Sequence, residues 1–169
     1  MGCLRPQEYR RSIFEIDLDK LQRMGKRAMI LDLDNTLVRW NDPNPTPALL
    51  DWLAAVRGRG LQPCIVSNNS GPRVSEFAAR AGVPFVPNAT KPSVKGFRLA
   101  MQRLGVEPHE TVVVGDQLFT DILGGNRAGA YTILVVPIDR REFIGTRLVR
   151  MIERRVLDRL FRQGQLTPK

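Results

Sequence analysis

The sequence predicts an α/β fold: a five-stranded parallel sheet with helices on both faces. Two patterns predict it. Short continuous apolar runs, rather than alternating ones, recur through the middle of the chain, as in strands covered on both sides. Between them lie stretches with helical start and stop residues, the order that builds a doubly wound sheet. A length of 169 residues, 43% of them hydrophobic and 25% charged, suits one domain with a proper core.

The elements follow in order. Residues 28–33 form the first strand of the sheet. Thr46 and Pro47 supply a capping residue and a first-turn proline, opening a helix that runs to Arg57 and stops at Gly58 and Gly60. Residues 62–66 are the second strand and 71–81 a helix closed by Gly82. A short strand at 83–86 and a helix at 93–104, stopped by Gly105, come next. The β-branched run 111–114 is the fourth strand, 121–128 a helix ending before Gly129, and 131–136 the last strand.

The two ends read differently. Residues 1–27 form a lead-in, partly helical over 9–21, with a turn at Gly25. Residues 141–162 fit one helix with Ile144, Leu148, Val149, Ile152, Val156 and Leu160 along a stripe. Arg147, Arg150 and Arg154 face the other way; Arg155, Arg159 and Arg162 flank the stripe, and Phe143, Leu157 and Phe161 widen it. The expected divisions are 1–27, 28–138 and 139–169.

The net charge of +9 belongs to those ends. Residues 28–138 carry 10 basic and 9 acidic side chains, against 7 and 4 in 1–27 and 9 and 4 in 139–169. A near-neutral body with basic ends argues against a nucleic-acid groove around the sheet. No apolar run approaches the roughly 18 residues that cross a bilayer, and no signal segment opens the chain. A cytosolic location is expected, with peripheral contact at the inner face of a membrane open to it. Cys3 and Cys64 lack metal-ligand spacing, and the sole histidine, His109, sits in a Pro-His-Glu turn unsuited to catalysis.

The chemistry is concentrated at strand ends. Asp32-Leu33-Asp34-Asn35-Thr36-Leu37 follows an apolar strand. Residues two apart on a strand share a face, so Asp32 and Asp34 crowd like charges, a cost normally met where a cation or a transferable proton sits between them. Ser67-Asn68-Asn69-Ser70 follows the second strand, Lys91-Pro92 precedes a helix, and Gly115-Asp116-Gln117 with Thr120-Asp121 follows the fourth strand. Together they point to metal-assisted phosphoryl chemistry.

This set, in this order, resembles the haloacid dehalogenase (HAD) superfamily of phosphatases, with a three-layer Rossmann-like fold. The resemblance implies that Asp32 is the nucleophile, forming an aspartyl-phosphate, and Asp34 the general acid. It implies that Thr36, Ser67 and Asn68 bind the phosphoryl group, and that Lys91 offsets the charge gathered there. Mg²⁺ would take Asp32, the backbone carbonyl of Asp34 and Asp116, with Asp121 in support. Only 30 residues separate Thr36 from Ser67 and 23 separate Ser67 from Lys91, so neither interval has room for a cap domain.

Within the superfamily the chain resembles the small capless class IIIA group, the bacterial YqeG-type proteins and organellar phosphatidylglycerophosphate phosphatases. Residues 31–38, 67–69, 91–92 and 114–122 carry that match, with Leu4-Arg5-Pro6 and Ile16-Asp17 extending it. It implies an open site for a bulky phosphate, an anionic lipid above all, with the loop 39–47 and its Arg39, Trp40 and Asn41 near the group that bears the phosphate. Two other readings stay open. One is a phosphatase for nucleic-acid terminal phosphates, set back by few stacking aromatics. The other is an RNA- or protein-binding module with a secondary site. The C-terminal helix either lies on a membrane or packs on the body. Oligomeric state is not legible.

Overall fold

Six strands, all parallel, form one sheet in the order β1-β6-β5-β2-β3-β4. The computed structural model describes residues 2–139, 146–164 and 166. The strands are β1 (Glu8–Arg10), β2 (Ala28–Leu31), β3 (Gln62–Val66), β4 (Phe85–Val86), β5 (Thr111–Gly115) and β6 (Tyr131–Val135). Helices α1 (Leu18–Arg23), α2 (Pro47–Gly58), α3 (Pro72–Ala81), α4 (Val94–Leu104), α5 (Leu123–Arg127) and α6 (Thr146–Arg162) surround them.

Strand β2 lies at the centre and is buried along its whole length. Its side chains alternate between two cores. Met29 and Leu31 join Leu21 of α1, Leu53 and Val56 of α2 and Phe77 of α3; Ala28 and Ile30 join Phe97, Ala100 and Met101 of α4. Helices thus cover both faces, which accounts for the continuous apolar runs. The caps are as the sequence predicts: Thr46 accepts from Leu49 N at 3.2 Å, and Gly82 and Gly105 close α3 and α4 with φ of 62° and 64°. Between Thr36 and Ser67 lie one loop, α2 and β3, and between Ser67 and Lys91 only α3 and β4. There is no cap.

The sheet has six strands where the sequence predicts five. Tyr9 and Arg10, expected at the start of a helical lead-in, form β1 and pair with Leu134 and Val135 of β6; the helix there begins only at Leu18. The buried residues of β1 are Glu8 and Arg10, which pair with each other, and Glu8 also accepts from Lys20 Nζ at 2.7 Å and Tyr131 Oη at 2.9 Å. A strand whose buried side chains are a carboxylate and a guanidinium carries no apolar signature.

Helix α6 packs on the body over its described inner face. Val156 and Leu157 meet the cluster of Leu118, Ile122 and Leu134, with Leu4 and Tyr9 beside them. Leu160 is buried, and the rings of Tyr9 and Phe161 meet edge to face with centroids 5.4 Å apart. Ile152, predicted on the apolar stripe, is exposed together with Met151. Phe143 and Ile144 lie outside the described residues, as do the side chains of Arg147, Leu148, Val149, Arg150 and Arg154. Arg155, Arg159 and Arg162 are exposed. No helix among the described residues is long and apolar enough to cross a membrane.

Candidate functional site

The chain leaves β2 toward β3 and β4 on one side and returns to β5 and β6 on the other. The carboxyl ends of the adjacent strands β2 and β5 therefore flank a topological switch point, where open α/β sheets bind ligands. Asp32 sits one residue past β2, its N–H still bonded to Val114 O at 2.9 Å. Asp116 sits one residue past β5.

Lys91 ties the site together. Its ammonium donates to Asp32 Oδ1 at 2.5 Å and to Asp121 Oδ1 at 2.7 Å, and its side chain is 4% exposed. Asn68, two residues past β3, positions it: Lys91 N donates to Asn68 Oδ1 at 2.7 Å, and Asn68 Nδ2 donates to Lys91 O at 3.3 Å. Asp121 arrives through a π-helical turn, Leu118–Ile122, of the kind common at functional sites. Gln117 N donates to its Oδ2 at 3.1 Å. Gly115 makes room for it, since a Cβ there would stand 2.3 Å from Asp121 Cγ.

Oxygens of Asp32, Asp116 and Asp121 all lie within 4.8 Å of one another. A cluster of carboxylates with no histidine or thiol is a hard-oxygen donor set, suited to Mg²⁺ or a similar ion rather than to zinc or copper. Lys91 pairs with two of these three carboxylates, Asp32 and Asp121. The donors fit the metal. Burial pushes the Asp32 carboxyl up to about 6 against the pull of Lys91, with Asp121 and Asp34 adding to the rise. Burial works to lower the Lys91 pKa, but Asp121 and Asp32 outweigh it and hold the ammonium above its usual range.

Asp34 does not crowd Asp32 for want of a cation; it has its own. Arg73 Nη2 donates to Asp34 Oδ1 at 2.8 Å and Oδ2 at 2.7 Å. Asn69 Nδ2 donates to Oδ2 at 2.7 Å and Asn41 N to Oδ1 at 3.1 Å. The sequence does not single out Arg73, and it names Asn69 only within the Ser67–Ser70 motif, with no role of its own. A signal existed for the arginine: a cation in the first turn of α3 opposes the helix dipole unless an anion answers it.

The remaining predicted residues divide. Thr36 is buried with its hydroxyl donating to Asp116 Oδ1 at 3.3 Å. Ser67 is buried and accepts from Asn69 N at 3.1 Å, which leaves its hydroxyl as a donor. In the loop after Val38, Trp40 is 46% exposed. With Asn41, Asn69, Ser70, Gly71 and Arg73 it lines an open cleft of about 460 Å³ beside Asp34.

Comparison with known proteins matches this architecture. The family model for haloacid dehalogenase-like hydrolase covers residues 6–129. The probable phosphatase YqeG of Bacillus subtilis is 44% identical over 161 residues, spanning 95% of this chain and 94% of that protein. The chloroplastic and mitochondrial phosphatidylglycerophosphate phosphatase 1 of Arabidopsis thaliana is 30% identical over 165 residues, 88% of this chain, which spans about half (46%) of that protein's length. Among solved structures, the cobalt-bound deoxy-D-mannose-octulosonate 8-phosphate phosphatase of Haemophilus influenzae superposes with a TM-score of 0.54 at 15% identity, over 66% of this chain and 69% of that one; at that identity the likeness is one of fold. With both the family model and a near full-length relative agreeing, the chain belongs to the haloacid dehalogenase-like hydrolases and is a phosphatase.

Proposed function

We propose that this phosphatase uses Mg²⁺ to hydrolyse a phosphomonoester through an aspartyl-phosphate on Asp32, and that its substrate is phosphatidylglycerophosphate. The observation that carries the mechanism is the convergence of Lys91 with Asp32 and Asp121 at the switch point, where Asp116 completes a metal-binding trio. Asp32, Asp116 and Asp121, with the backbone carbonyl of Asp34, would hold the ion. Bound there, Mg²⁺ neutralises phosphoryl oxygens and orients the phosphate.

The protein's own groups do the rest. A carboxylate oxygen of Asp32 attacks phosphorus, and the bond from phosphorus to the ester oxygen breaks. Asp34 gives the departing oxygen its proton and later takes one from the water that cleaves the acyl phosphate, restoring Asp32 and freeing inorganic phosphate. Lys91, kept in place by Asn68, screens the charge on Asp32 as the phosphate approaches, and the Ser67 hydroxyl donates to its oxygens.

Three features support the lipid. The site has no cap, so a bulky phosphate can reach it. The last segment, 139–169, is basic, as a contact with an anionic surface requires. The Arabidopsis relative is named for this substrate. The test is phosphate release from phosphatidylglycerophosphate in anionic vesicles with Mg²⁺, beside an aryl phosphate and a terminally phosphorylated oligonucleotide. Asp32→Asn should lower turnover more than about 10⁴-fold, because an amide is no nucleophile. Release from the oligonucleotide alone would move the substrate to nucleic acid.

A further inference from the structure

Arg73 holds Asp34 by both oxygens, at 2.8 and 2.7 Å, while its other terminal nitrogen donates to Asp42 O at 3.1 Å. In that arrangement the carboxyl group that must face a departing oxygen faces a guanidinium instead. The same guanidinium is in the wall of the open cleft of about 460 Å³, where Trp40 stands half exposed. From this geometry, and resting on the phosphatase reading above, we propose that Arg73 reads a second anionic group on the substrate, a phosphodiester close to the scissile monoester, and releases Asp34 when it binds that group.

The exchange is chemically even. A phosphodiester offers two non-bridging oxygens to Arg73 Nη2, which here reaches both carboxylate oxygens of Asp34. The bond to Asp42 O keeps the guanidinium at the cleft wall, so the change is one of partner rather than a long swing. Asn69 and Asn41 stay on Asp34 and hold it near the site. An anion at this spot also meets the favourable end of the α3 dipole, as an arginine in the first turn does not. The substrate class selected is a phosphomonoester carrying a phosphodiester within one glycerol's reach, and a monoester lacking it leaves the latch shut.

The test is a matched pair of soluble substrates with Mg²⁺: glycerophosphoglycerol phosphate, which carries both phosphates and no acyl chains, and glycerol 3-phosphate, which carries the monoester alone. A terminally phosphorylated dinucleotide, a phosphodiester from another source, runs as a third arm. The wild type should favour the diester-bearing headgroup in kcat/KM by about 10- to 100-fold, the worth of a charged hydrogen-bonded contact. Arg73→Ala should collapse that ratio toward one, chiefly through KM for the headgroup. Arg73→Lys keeps the charge without the fork, should recover only part of the ratio, and carries the test if the alanine variant does not fold. An equal loss on both substrates, seen in kcat, would overturn the proposal and leave Arg73 as a positioning residue for Asp34. Preference for the dinucleotide over the glycerol headgroup would overturn the lipid headgroup as the source. Turnover of none of the three would overturn the phosphatase mechanism along with it.

Discussion

Lys91 and Asp121, thirty residues apart in sequence, meet at 2.7 Å with both side chains almost wholly out of solvent. Neither is on a strand: one leads into α4 and the other lies in the π turn after β5. Removing the ammonium would leave Asp121 and Asp32 as neighbouring buried carboxylates. Lys91→Met should therefore destabilise the metal-free protein by about 3–5 kcal/mol. Denaturant unfolding in chelator measures it, and added Mg²⁺ should recover part of the loss. Unchanged stability would mean that the pair is not held as described.

Gly115 tests the trio from the other side. In Gly115→Ala the new methyl meets the Asp121 carboxyl at 2.3 Å, too close to be absorbed without moving it. The cost in stability should be about 1–3 kcal/mol, and the concentration of Mg²⁺ needed for half-maximal protection against unfolding should rise. A variant that folds less well yet binds Mg²⁺ as before would separate Asp121 from the metal site.

Much of this was legible in the sequence, and the failures share a cause. Strand ends and carboxylates announce themselves locally: Asp32 and Asp116 lie where an apolar run meets turn residues. Glu8 and Arg73 do not: part of what holds Glu8 is Tyr131, more than a hundred residues on, and Arg73 answers Asp34, thirty-nine residues back. Thr36 was expected on the phosphate, yet its hydroxyl turns to Asp116. Its partner lies eighty residues on, which no local pattern reports. Asp121, expected in support, stands in a π turn within 4.8 Å of Asp32 and Asp116.

Glu8 gives the edge of the sheet a pH dependence. Burial alone would raise its pKa, but Lys20, Tyr131 and Arg10 together hold it below the ordinary carboxylate value of 4.5. A carboxylate depressed in the fold contributes stability that is present above the unfolded pKa and lost as pH falls through the folded one. Glu8→Gln should thus be less stable by about 1–3 kcal/mol at pH 7, and the gap to wild type should narrow as pH falls below 4.5. Parallel melting curves across that range decide it; a constant gap would mean that charge is not the reason.

The two sides of α6 should behave oppositely. Leu160 is buried and Ile152 is exposed. Leu160→Ala should cost about 2–5 kcal/mol, while Ile152→Ser should stay within about 0.5 kcal/mol and instead weaken sedimentation with anionic vesicles. Equal thermal effects from both would place the whole helix face in the core.

Strand β1 can pair only with β6, made more than a hundred residues later. On the ribosome, Glu8 and Tyr9 wait as an open edge until residues 131–135 emerge, and closing so long a loop is slow. Asp32 and Asp34 are likewise made early, but Asp116 and Asp121 leave the exit tunnel only with β5. The order of synthesis therefore completes the carboxylate trio only when the sheet is nearly whole, and a chain cut short before residue 116 carries Asp32 without Asp116 or Asp121.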